Sequence, residues 1–281
     1  MTALDPRLNA YRPDLADIGL KERVQSVNYV QSRRMQVIET ITSVRRAPSL
    51  DAMQLTQALM GETARVFEVA NGWAWVQLEH DGYVGYVDAN ALSGDISPPT
   101  HRVAVPSTLI YPNPSLKSQP AVAITLNSQV AVVGSQDSFS QLSDGRFVFS
   151  GHLELVGTWA IGYVAMAEMF RHVPYYWGGK SVHGVDCSGL VQLALEACGI
   201  PARRDSDMQE ETLGKPVLAN DLNGLQRGDL VFWDGHVGIM TDSATLLHAN
   251  GHHMMVVAEP IESAMERIAQ RYGQVTSIKR F

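Results

Sequence analysis

The sequence predicts an α+β protein in which an all-β N-terminal region precedes a C-terminal domain that combines helices with an antiparallel sheet. Between Met35 and about Gly157, apolar and polar residues alternate in short runs that turn residues separate, as in half-buried strands. From Trp159 to Phe281 the pattern changes: helical segments come first, and the short strand runs DLVFW, HVGIM, TLLHAN and MMVVAE follow. Helices followed by an antiparallel meander are typical of the α+β class.

The composition is that of an ordinary globular protein. The 281 residues are 45% hydrophobic and 18% charged, which allows two or three domains with ample core. The formal net charge of −7 argues against nucleic acid or an anionic membrane as a partner. The two cysteines show neither a pairing pattern nor zinc-ligand spacing, so a reducing compartment fits. We also expect no cofactor.

Residues 1–32 are polar, include Pro6 and Pro13, and predict an arm that packs on another part of the protein. They contain no apolar run of signal-peptide length. No later run approaches the ~18 apolar residues of a membrane helix. We therefore expect a cytoplasmic protein, and the alternative is that an export signal has been removed.

Two small β-barrels are predicted, at residues 33–96 and 100–158. In the first, Asn71-Gly72 and Asp81-Gly82 are strong hairpin turns between alternating runs. The second follows a Ser-Pro-Pro-Thr linker and has turns at YPNP and SDG. A duplication explains two barrels of similar length; the alternative is one larger β domain.

The C-terminal domain, residues 159–281, is organised around the stretch YYWGGKSVHGVDCSGLVQLALEACG. Asp186 is a good N-cap and Gly199 a natural residue after the helix end, and apolar residues surround nearly the whole helix, so we expect it to be buried. Cys187 lies in the first turn, where free amides and the helix dipole stabilise a thiolate. We predict that Cys187 is a nucleophile rather than a small buried hydrophobe, and that Cys198 is structural.

Two histidines follow on neighbouring predicted strands. If Met240 faces Ala244 across a three-residue loop, His236 and His248 lie directly opposite each other, with Cβ atoms roughly 5 Å apart. A thiol nucleophile needs a base, and the base needs an orienting group. We therefore predict that His236 takes the proton of Cys187, giving a thiolate–imidazolium pair, and that His248 holds the imidazole.

Two further predictions concern the oxyanion and a metal. The amide of Cys187 is expected to meet the oxyanion, with Tyr175 as a candidate second donor. The rival use of the histidines is zinc binding by His248, His252 and His253. Because no carboxylate or cysteine stands at ligand spacing beside them, we expect no metal.

The C-terminal segment resembles the NlpC family of papain-like cysteine peptidases, which cleave bacterial cell-wall peptides. The resemblance covers about residues 160–281 and implies a papain-like fold, with Cys187 as nucleophile, His236 as base and His248 as third polar residue. The matching motifs occur in the family's order: Tyr175-x-Trp177-Gly178-Gly179, Asp186-Cys187-Ser188-Gly189-Leu190-Val191, Arg227-Gly228-Asp229-Leu230-Val231-Phe232-Trp233, His236-Val237-Gly238-Ile239 and His248-Ala249.

The first β segment resembles a bacterial SH3-like barrel, through the run from Glu62 and the GYVGYV run from Gly82. This domain order resembles that of γ-D-glutamyl-L-diamino acid endopeptidases, which act on small murein peptides with a free N-terminal L-alanine. In that branch the resemblance implies that Tyr83 and Glu62 hold the alanine ammonium. The alternative for both is barrel packing or a solvated face.

The same resemblance implies a set of substrate-binding residues in the C-terminal domain: Asp186, Ser188, Asp205, Ser206, Tyr175 and Trp177. For Asp186 the alternative is a plain N-cap, and both roles are compatible. Arg203 or Arg204 is available to meet the substrate carboxylate.

These observations predict a cysteine endopeptidase that uses Cys-His-His chemistry on the γ-D-Glu–diamino acid bond of small murein peptides in peptidoglycan recycling. One alternative is an exported remodelling hydrolase whose SH3-like domains bind intact murein. Others are a transferase or amidase on the same scaffold and a binding protein with a decayed site. The sequence leaves open the diamino acid, the oligomeric state and any contact of the second barrel with substrate.

Overall fold

The computed structural model describes residues 4–217 and 224–281. The chain divides into two compact units, Met1–Val156 and Gly157–Phe281. The first contains strands and short 3-10 turns, whereas the second combines helices with an antiparallel sheet. This arrangement confirms the predicted fold class.

The N-terminal segment packs on the first barrel. Its strands β1 (Leu15–Asp17) and β2 (Asn28–Val30) pair in parallel, and a 3-10 turn follows β1 at Ile18–Leu20. Leu15 belongs to the same buried cluster as Phe67 and Trp75. The segment is therefore anchored by apolar burial, as an arm that lacks a core of its own requires.

The first barrel is one antiparallel sheet with hairpin turns at the predicted places. Asn71 and Gly72 both have positive φ, 51° and 81°, as a two-residue type I′ turn requires. Its strands are β3 (Arg33–Val37), β4 (Ile41–Arg45), β5 (Gln54–Leu59), β6 (Thr63–Ala70), β7 (Trp73–Leu78), β8 (Val84–Asp88) and β9 (Leu92–Ser93). They pair in the order β5-β4-β8-β7-β6-β3-β9, and a 3-10 turn, Ala89–Ala91, precedes β9.

The second β segment has sheets and a core of its own. Its strands are β10 (His101–Val103), β11 (Ser107–Tyr111), β12 (Val122–Thr125), β13 (Gln129–Val130), β14 (Val132–Gln136), β15 (Phe139–Leu142), β16 (Phe147–Phe149) and β17 (Leu153–Leu155), with a 3-10 turn at Ser150–His152. They form the sheets β13-β10-β17 and β12-β11-β16-β15-β14. The side chains that fill the space between them are Val103, Ile110, Ile124, Val130, Leu142, Val148 and Leu153.

The second unit places its helices before and after an antiparallel sheet. Its helices are α1 (Tyr163–Glu168), α2 (Cys187–Ala197), α3 (Ser206–Thr212) and α4 (Ile261–Tyr272). Its strands are β18 (Lys180–Ser181), β19 (Gly184–Val185), β20 (Lys215–Pro216), β21 (Leu230–Trp233), β22 (His236–Met240), β23 (Thr245–Asn250), β24 (Met255–Pro260) and β25 (Ser277–Arg280). Strands β18 and β19 pair with each other, and the main sheet has the order β20-β25-β21-β22-β23-β24.

Helix α2 has the ends and the burial that the sequence predicts. Asp186 is its N-cap and accepts a hydrogen bond from the amide of Gly189 at 2.7 Å. Every residue of the helix is buried, and Gly199 follows its end with a φ of 74°. Cys198 lies at the C-cap of the helix and is partly exposed.

The register between β22 and β23 differs from the predicted one. Ile239 pairs with Leu247, and Met240 pairs with Leu246 rather than with Ala244. The predicted pairing is therefore wrong by two residues. A shift of two keeps each side chain on its predicted face, because strand side chains alternate with a period of two.

The longer loop has a local cause. The side chain of Asp242 accepts hydrogen bonds from the amides of Ala244 and Thr245, both at 2.8 Å, and the Thr241 amide donates to the Thr245 carbonyl at 2.9 Å. The turn therefore takes in two more residues than predicted. As a result, His236 and His248 are diagonal neighbours on one sheet face instead of direct partners.

In the part of the chain that the structure describes, none of the helices has both the length and the apolar character that crossing a bilayer requires.

Gly189 in the first turn of α2 lies against backbone. A Cβ at this position would lie 2.2 Å from the carbonyl oxygen of Gly179 and 2.9 Å from Oδ1 of Asp186. We expect Gly189→Ala to lower stability by about 1–3 kcal/mol, because the overlap forces the backbone to shift. The thermal midpoint of the full chain measures this. Gly251→Ala is the control, since its nearest neighbour would be 4.0 Å away; equal midpoints for the two variants would contradict the expectation.

Candidate active site

The first turn of α2 brings the thiol of Cys187 to the start of strand β22. Helix α2 packs on β22, and the backbone amides of Val237 and Ser188 lie close enough to the sulfur to lower the pKa of the thiol. Val237 directly follows His236 in the chain. The structure thus places the predicted nucleophile beside the strand that carries His236, the predicted base.

The two predicted histidines form a direct hydrogen bond. Nε2 of His236 lies 2.7 Å from Nδ1 of His248, and both side chains are buried. The diagonal register suffices for this contact because the ring centroids are 5.0 Å apart. His248 is thus placed to orient His236, the geometric role that the sequence predicts for it.

Aromatic side chains enclose the ring of His236. Tyr272 at the end of α4 stacks on it, with ring centroids 6.0 Å apart and an interplanar angle of 25°. Trp233 lies against it at 5.7 Å. Sequence reasoning missed Tyr272, because a tyrosine near the end of an amphipathic helix is usually a packing residue.

Burial keeps the thiol and the imidazole neutral. It raises the pKa of Cys187 to about 12, and the charge of Asp186 adds to this effect. It lowers the pKa of His236 to about 3, and the charge of His248 adds to that. At pH 7 the substrate-free site therefore favours a neutral thiol–imidazole pair over the predicted thiolate–imidazolium pair, since desolvation outweighs the helix dipole.

Asp186 forms a buried ion pair with Arg204. Oδ2 of Asp186 lies 2.6 Å from NH2 of Arg204 and 2.8 Å from the amide nitrogen of Gly178. NH1 of Arg204 donates to Oγ of Ser188 at 2.8 Å. Breaking such a pair on one side costs about 3–5 kcal/mol. The N-cap interpretation of Asp186 therefore holds, and a contact of Asp186 or Ser188 with substrate stays a prediction.

Arg204 does not fit its predicted role as a partner of the substrate carboxylate. Its side chain is only 1% exposed and its guanidinium is bound to Asp186. The sequence left both arginines open, because it cannot show which of two adjacent arginines points inward. Arg203 is exposed, and its contact with a substrate carboxylate stays a prediction.

Helix α3 carries the predicted substrate residues Asp205 and Ser206 at its start. Gln209 of this helix donates to the carbonyl of Ser188 at 2.9 Å and to that of Arg203 at 2.8 Å. These bonds fix α3 against the start of α2. Asp205 and Ser206 are both half-buried, and their contact with substrate stays a prediction.

Tyr175 lies near the thiol and is half-buried. Burial raises the pKa of its phenol, and the charge of Cys187 adds to the effect. A neutral phenol can donate a hydrogen bond, as the predicted oxyanion role requires. Trp177 of the same motif is 59% exposed, so its surface is open to solvent.

Tyr83 and Glu62 belong to the first unit. They are 3% and 6% exposed, and Oε2 of Glu62 accepts a hydrogen bond from the amide of Leu59 at 3.1 Å. Packing inside the barrel accounts for that bond. Their role in holding an ammonium group stays a prediction.

Sequence reasoning missed two charged residues behind His248. Nε2 of His248 lies 2.7 Å from Oε1 of Glu259 on β24, and the same oxygen accepts a hydrogen bond from Arg267 on α4. The available signal was the acidic residue that ends the apolar run MMVVAE. Its partner was not visible, because the register that brings β24 beside β23 is a tertiary feature.

The other closely spaced histidines lie apart from this network or at its edge. The backbone amides of His252 and His253 donate to Oδ1 of Asn250, at 3.1 and 2.8 Å. Within residues 4–217 and 224–281, no group of three His, Cys, Asp or Glu side chains is arranged to hold a metal ion.

Two family models match parts of this chain. Residues 172–274, which include Cys187, His236 and His248, match the NlpC/P60 family. Residues 44–92 match the Sh3 domain of bacterial dipeptidyl-peptidases. The second match lies within the predicted first barrel.

Two curated bacterial relatives align with most of the chain. The dipeptidyl-peptidase 6 of Lysinibacillus sphaericus is 24% identical over 245 residues, which cover 76% of this chain and 86% of that protein. The gamma-D-glutamyl-L-lysine dipeptidyl-peptidase of Bacillus cereus is 27% identical over 202 residues, which cover 63% of this chain and 59% of that protein. The chain thus spans less than two thirds of the second relative.

A solved structure shares the fold. The crystal structure of an NlpC/P60 family protein from Bacillus cereus has a TM-score of 0.72 and 20% identity, with 88% of this chain and 99% of that chain covered. An NlpC/P60 endopeptidase from Photobacterium damselae has a TM-score of 0.61 and 16% identity, with 88% and 71% covered. At these identities the likeness concerns the fold, and it agrees with the predicted papain-like architecture.

The raised pKa of the Cys187 thiol predicts slow alkylation at neutral pH. The thiolate is the reactive form, and with a pKa of about 12 its fraction grows about tenfold per pH unit. We expect the iodoacetamide rate of the substrate-free protein to keep rising from about pH 6 to about pH 10. Cys198→Ala removes the second thiol. A rate plateau below neutral pH in that variant would show a stable thiolate and contradict the neutral pair.

Proposed function

We propose that this chain, whose C-terminal domain belongs to the NlpC/P60 family of cysteine peptidases, hydrolyses the bond between γ-D-glutamate and the diamino acid of murein peptides. The observation that carries the proposal is the thiol of Cys187 at the start of α2, a helix that packs on the strand of His236, whose ring is hydrogen-bonded to that of His248. The relative named gamma-D-glutamyl-L-lysine dipeptidyl-peptidase supports the choice of bond.

The reaction begins with proton transfer from sulfur to imidazole. Nε2 of His236 is bonded to His248, so Nδ1 is the nitrogen available to the thiol. Because both groups are neutral at rest, the proton moves to Nδ1 as the sulfur attacks the carbonyl carbon of the γ-glutamyl bond. His248 stabilises the imidazolium that forms, and the aromatic rings beside it exclude water.

The second half of the reaction releases the diamino acid and restores the thiol. The oxyanion of the tetrahedral intermediate accepts hydrogen bonds from the Cys187 amide and from Tyr175. The carbon–nitrogen bond breaks, and His236 returns its proton to the leaving amine. A water molecule then attacks the thioester and gives one proton to His236. The carbon–sulfur bond breaks, the glutamyl product leaves as a carboxylic acid, and His236 returns its proton to the thiolate.

We propose that the substrate has a free N-terminal L-alanine, whose ammonium the family resemblance assigns to Glu62 and Tyr83. A buried ammonium must meet a carboxylate, since its desolvation is otherwise uncompensated. Such a requirement suits short peptides released from the wall, because in intact murein the alanine nitrogen is part of an amide. We therefore propose a role in peptidoglycan recycling, in the cytoplasm.

Removal of the nucleophile tests the reaction. We expect Cys187→Ala to abolish cleavage of L-Ala-γ-D-Glu-diaminopimelate while the protein remains folded, because no other described side chain beside His236 is a thiol. Mass spectrometry of the products and circular dichroism measure the two effects. Cys198→Ala is the matched control and should cleave normally. Full activity of the Cys187 variant would refute the mechanism.

Acetylation of the alanine nitrogen tests the substrate. We expect the N-acetylated peptide to be cleaved about a hundredfold more slowly in kcat/KM, the loss that follows when a charged hydrogen bond is not made. Parallel assays with insoluble murein test the alternative function, that of an exported hydrolase acting on intact murein. Equal rates on both peptides, or faster release from murein, would overturn the recycling proposal.

Glu62→Gln tests which residue meets the ammonium. It should lower kcat/KM for the free peptide and leave the acetylated peptide unaffected, because only the first carries the charge. Glu39→Gln is the matched control, since Glu39 is an exposed carboxylate of the same barrel. If both variants cleave both peptides like the unmodified protein, Glu62 has no role in substrate binding.

A further inference from the structure

We infer that Glu259, held by Arg267, is a positioning residue that sets the tautomers of His248 and His236 and so directs the basic nitrogen of His236 toward Cys187. The inference rests on the proposed function, because it assigns these residues a part in the proton transfer. Neither residue touches the thiol or the reacting atoms.

The geometry forms a continuous chain of hydrogen bonds. Nε2 of His236 lies 2.7 Å from Nδ1 of His248, and Nε2 of His248 lies 2.7 Å from Oε1 of Glu259. Arg267 donates to the same oxygen, and Nδ1 of His253 is 4.0 Å away from it. Three elements, β22, β23 and β24, thus supply successive members of the chain, and α4 closes it with a cation.

Glu259 is an ionised acceptor in this chain. Burial opposes its ionisation, but the hydrogen bonds from His248 and Arg267 outweigh burial and lower its pKa to about 2. An ionised carboxylate only accepts hydrogen bonds. Nε2 of His248 must therefore carry a proton.

The remaining protons follow from that one. Burial lowers the pKa of His248, so its ring is neutral and its Nδ1 carries a lone pair. Nε2 of His236 must then be the donor of the bond between the rings. The neutral ring of His236 keeps its lone pair on Nδ1, the nitrogen that the thiol proton requires.

Asn250 competes with Glu259 for His248. Its Nδ2 lies 3.0 Å from Nε2 of His248, and its Oδ1 is held by the amides of His252 and His253. The amide group therefore presents N–H donors to His248. One ring nitrogen cannot both accept from Asn250 and donate to Glu259, and the charged acceptor at 2.7 Å prevails.

The competition between Asn250 and Glu259 predicts the protonation of both histidines when the Glu259 carboxylate is removed. Asn250 then donates to Nε2 of His248, and the proton of that ring moves to Nδ1. Nε2 of His236 becomes the acceptor, so Nδ1 of His236 carries a proton and faces the thiol as a donor. The base has lost the lone pair that it needs.

Two substitutions of different strength test this role. Glu259→Met keeps the length of the side chain and removes the acceptor; we expect kcat to fall about a hundredfold, with KM unchanged, because the wrong tautomer predominates. Glu259→Gln keeps an acceptor oxygen without the charge, and we expect about a tenfold fall. Glu262→Gln is the control, since Glu262 is an exposed carboxylate on α4, and it should leave kcat unchanged.

The decisive readout is the tautomer itself, observed by 15N NMR of protein labelled at histidine. His248 should carry its proton on Nε2 in the unmodified protein and on Nδ1 in Glu259→Met, whereas a purely structural role would leave the tautomers alone. If the unmodified protein cleaves no murein peptide but the proton of His248 still moves in Glu259→Met, the proposed function is refuted and the positioning role is supported.

Unchanged tautomers and unchanged kcat in Glu259→Gln would overturn the inference, and this variant decides the matter if Glu259→Met fails to fold. Arg267→Ala adds an independent arm. Because the two residues act as a pair, the double variant with Glu259→Gln should lose no more kcat than the worse single variant. If the losses of kcat in the two single variants add up in the double variant, Arg267 does not act through Glu259.

Discussion

The contact between the first turn of α2 and strand β22 is the interaction on which the candidate site depends. It brings a thiol from a helix start and an imidazole from a sheet together in a largely buried place, where Cys187 and His236 are 8% and 6% exposed. The amide of Val237, which lowers the pKa of the thiol, belongs to the same strand as His236. Burial strengthens every hydrogen bond around the site and, at the same time, makes separate charges costly.

Two carboxylate–guanidinium pairs border this buried site. Asp186 and Arg204 lie beside the nucleophile, and Glu259 and Arg267 lie behind the histidines. In each pair the arginine compensates an acidic charge that would otherwise remain unpaired near the thiol or the imidazole. The charge of Asp186 raises the pKa of Cys187 and that of Arg204 lowers it, so the arginine offsets part of the effect that the carboxylate has on the nucleophile.

The histidine pair shows how a wrong local prediction can still lead to the right contact. The loop between β22 and β23 is longer than a tight hairpin turn because Asp242 caps two of its amides. The resulting shift is even, so both histidines stay on one face. Imidazole rings are long enough to bridge the diagonal, and their hydrogen bond therefore survives the change of register.

The sequence alone determined the features that depend on neighbours along the chain. These include the caps and burial of α2, the Asn71-Gly72 turn and the faces of His236 and His248, because capping, turn geometry and strand alternation are local rules. Only the tertiary structure decided that Arg204 points inward and that Glu259 and Arg267 stand behind His248. It also decided the protonation of the thiol and the imidazole, since desolvation depends on what packs around a group and not on the residues beside it in sequence.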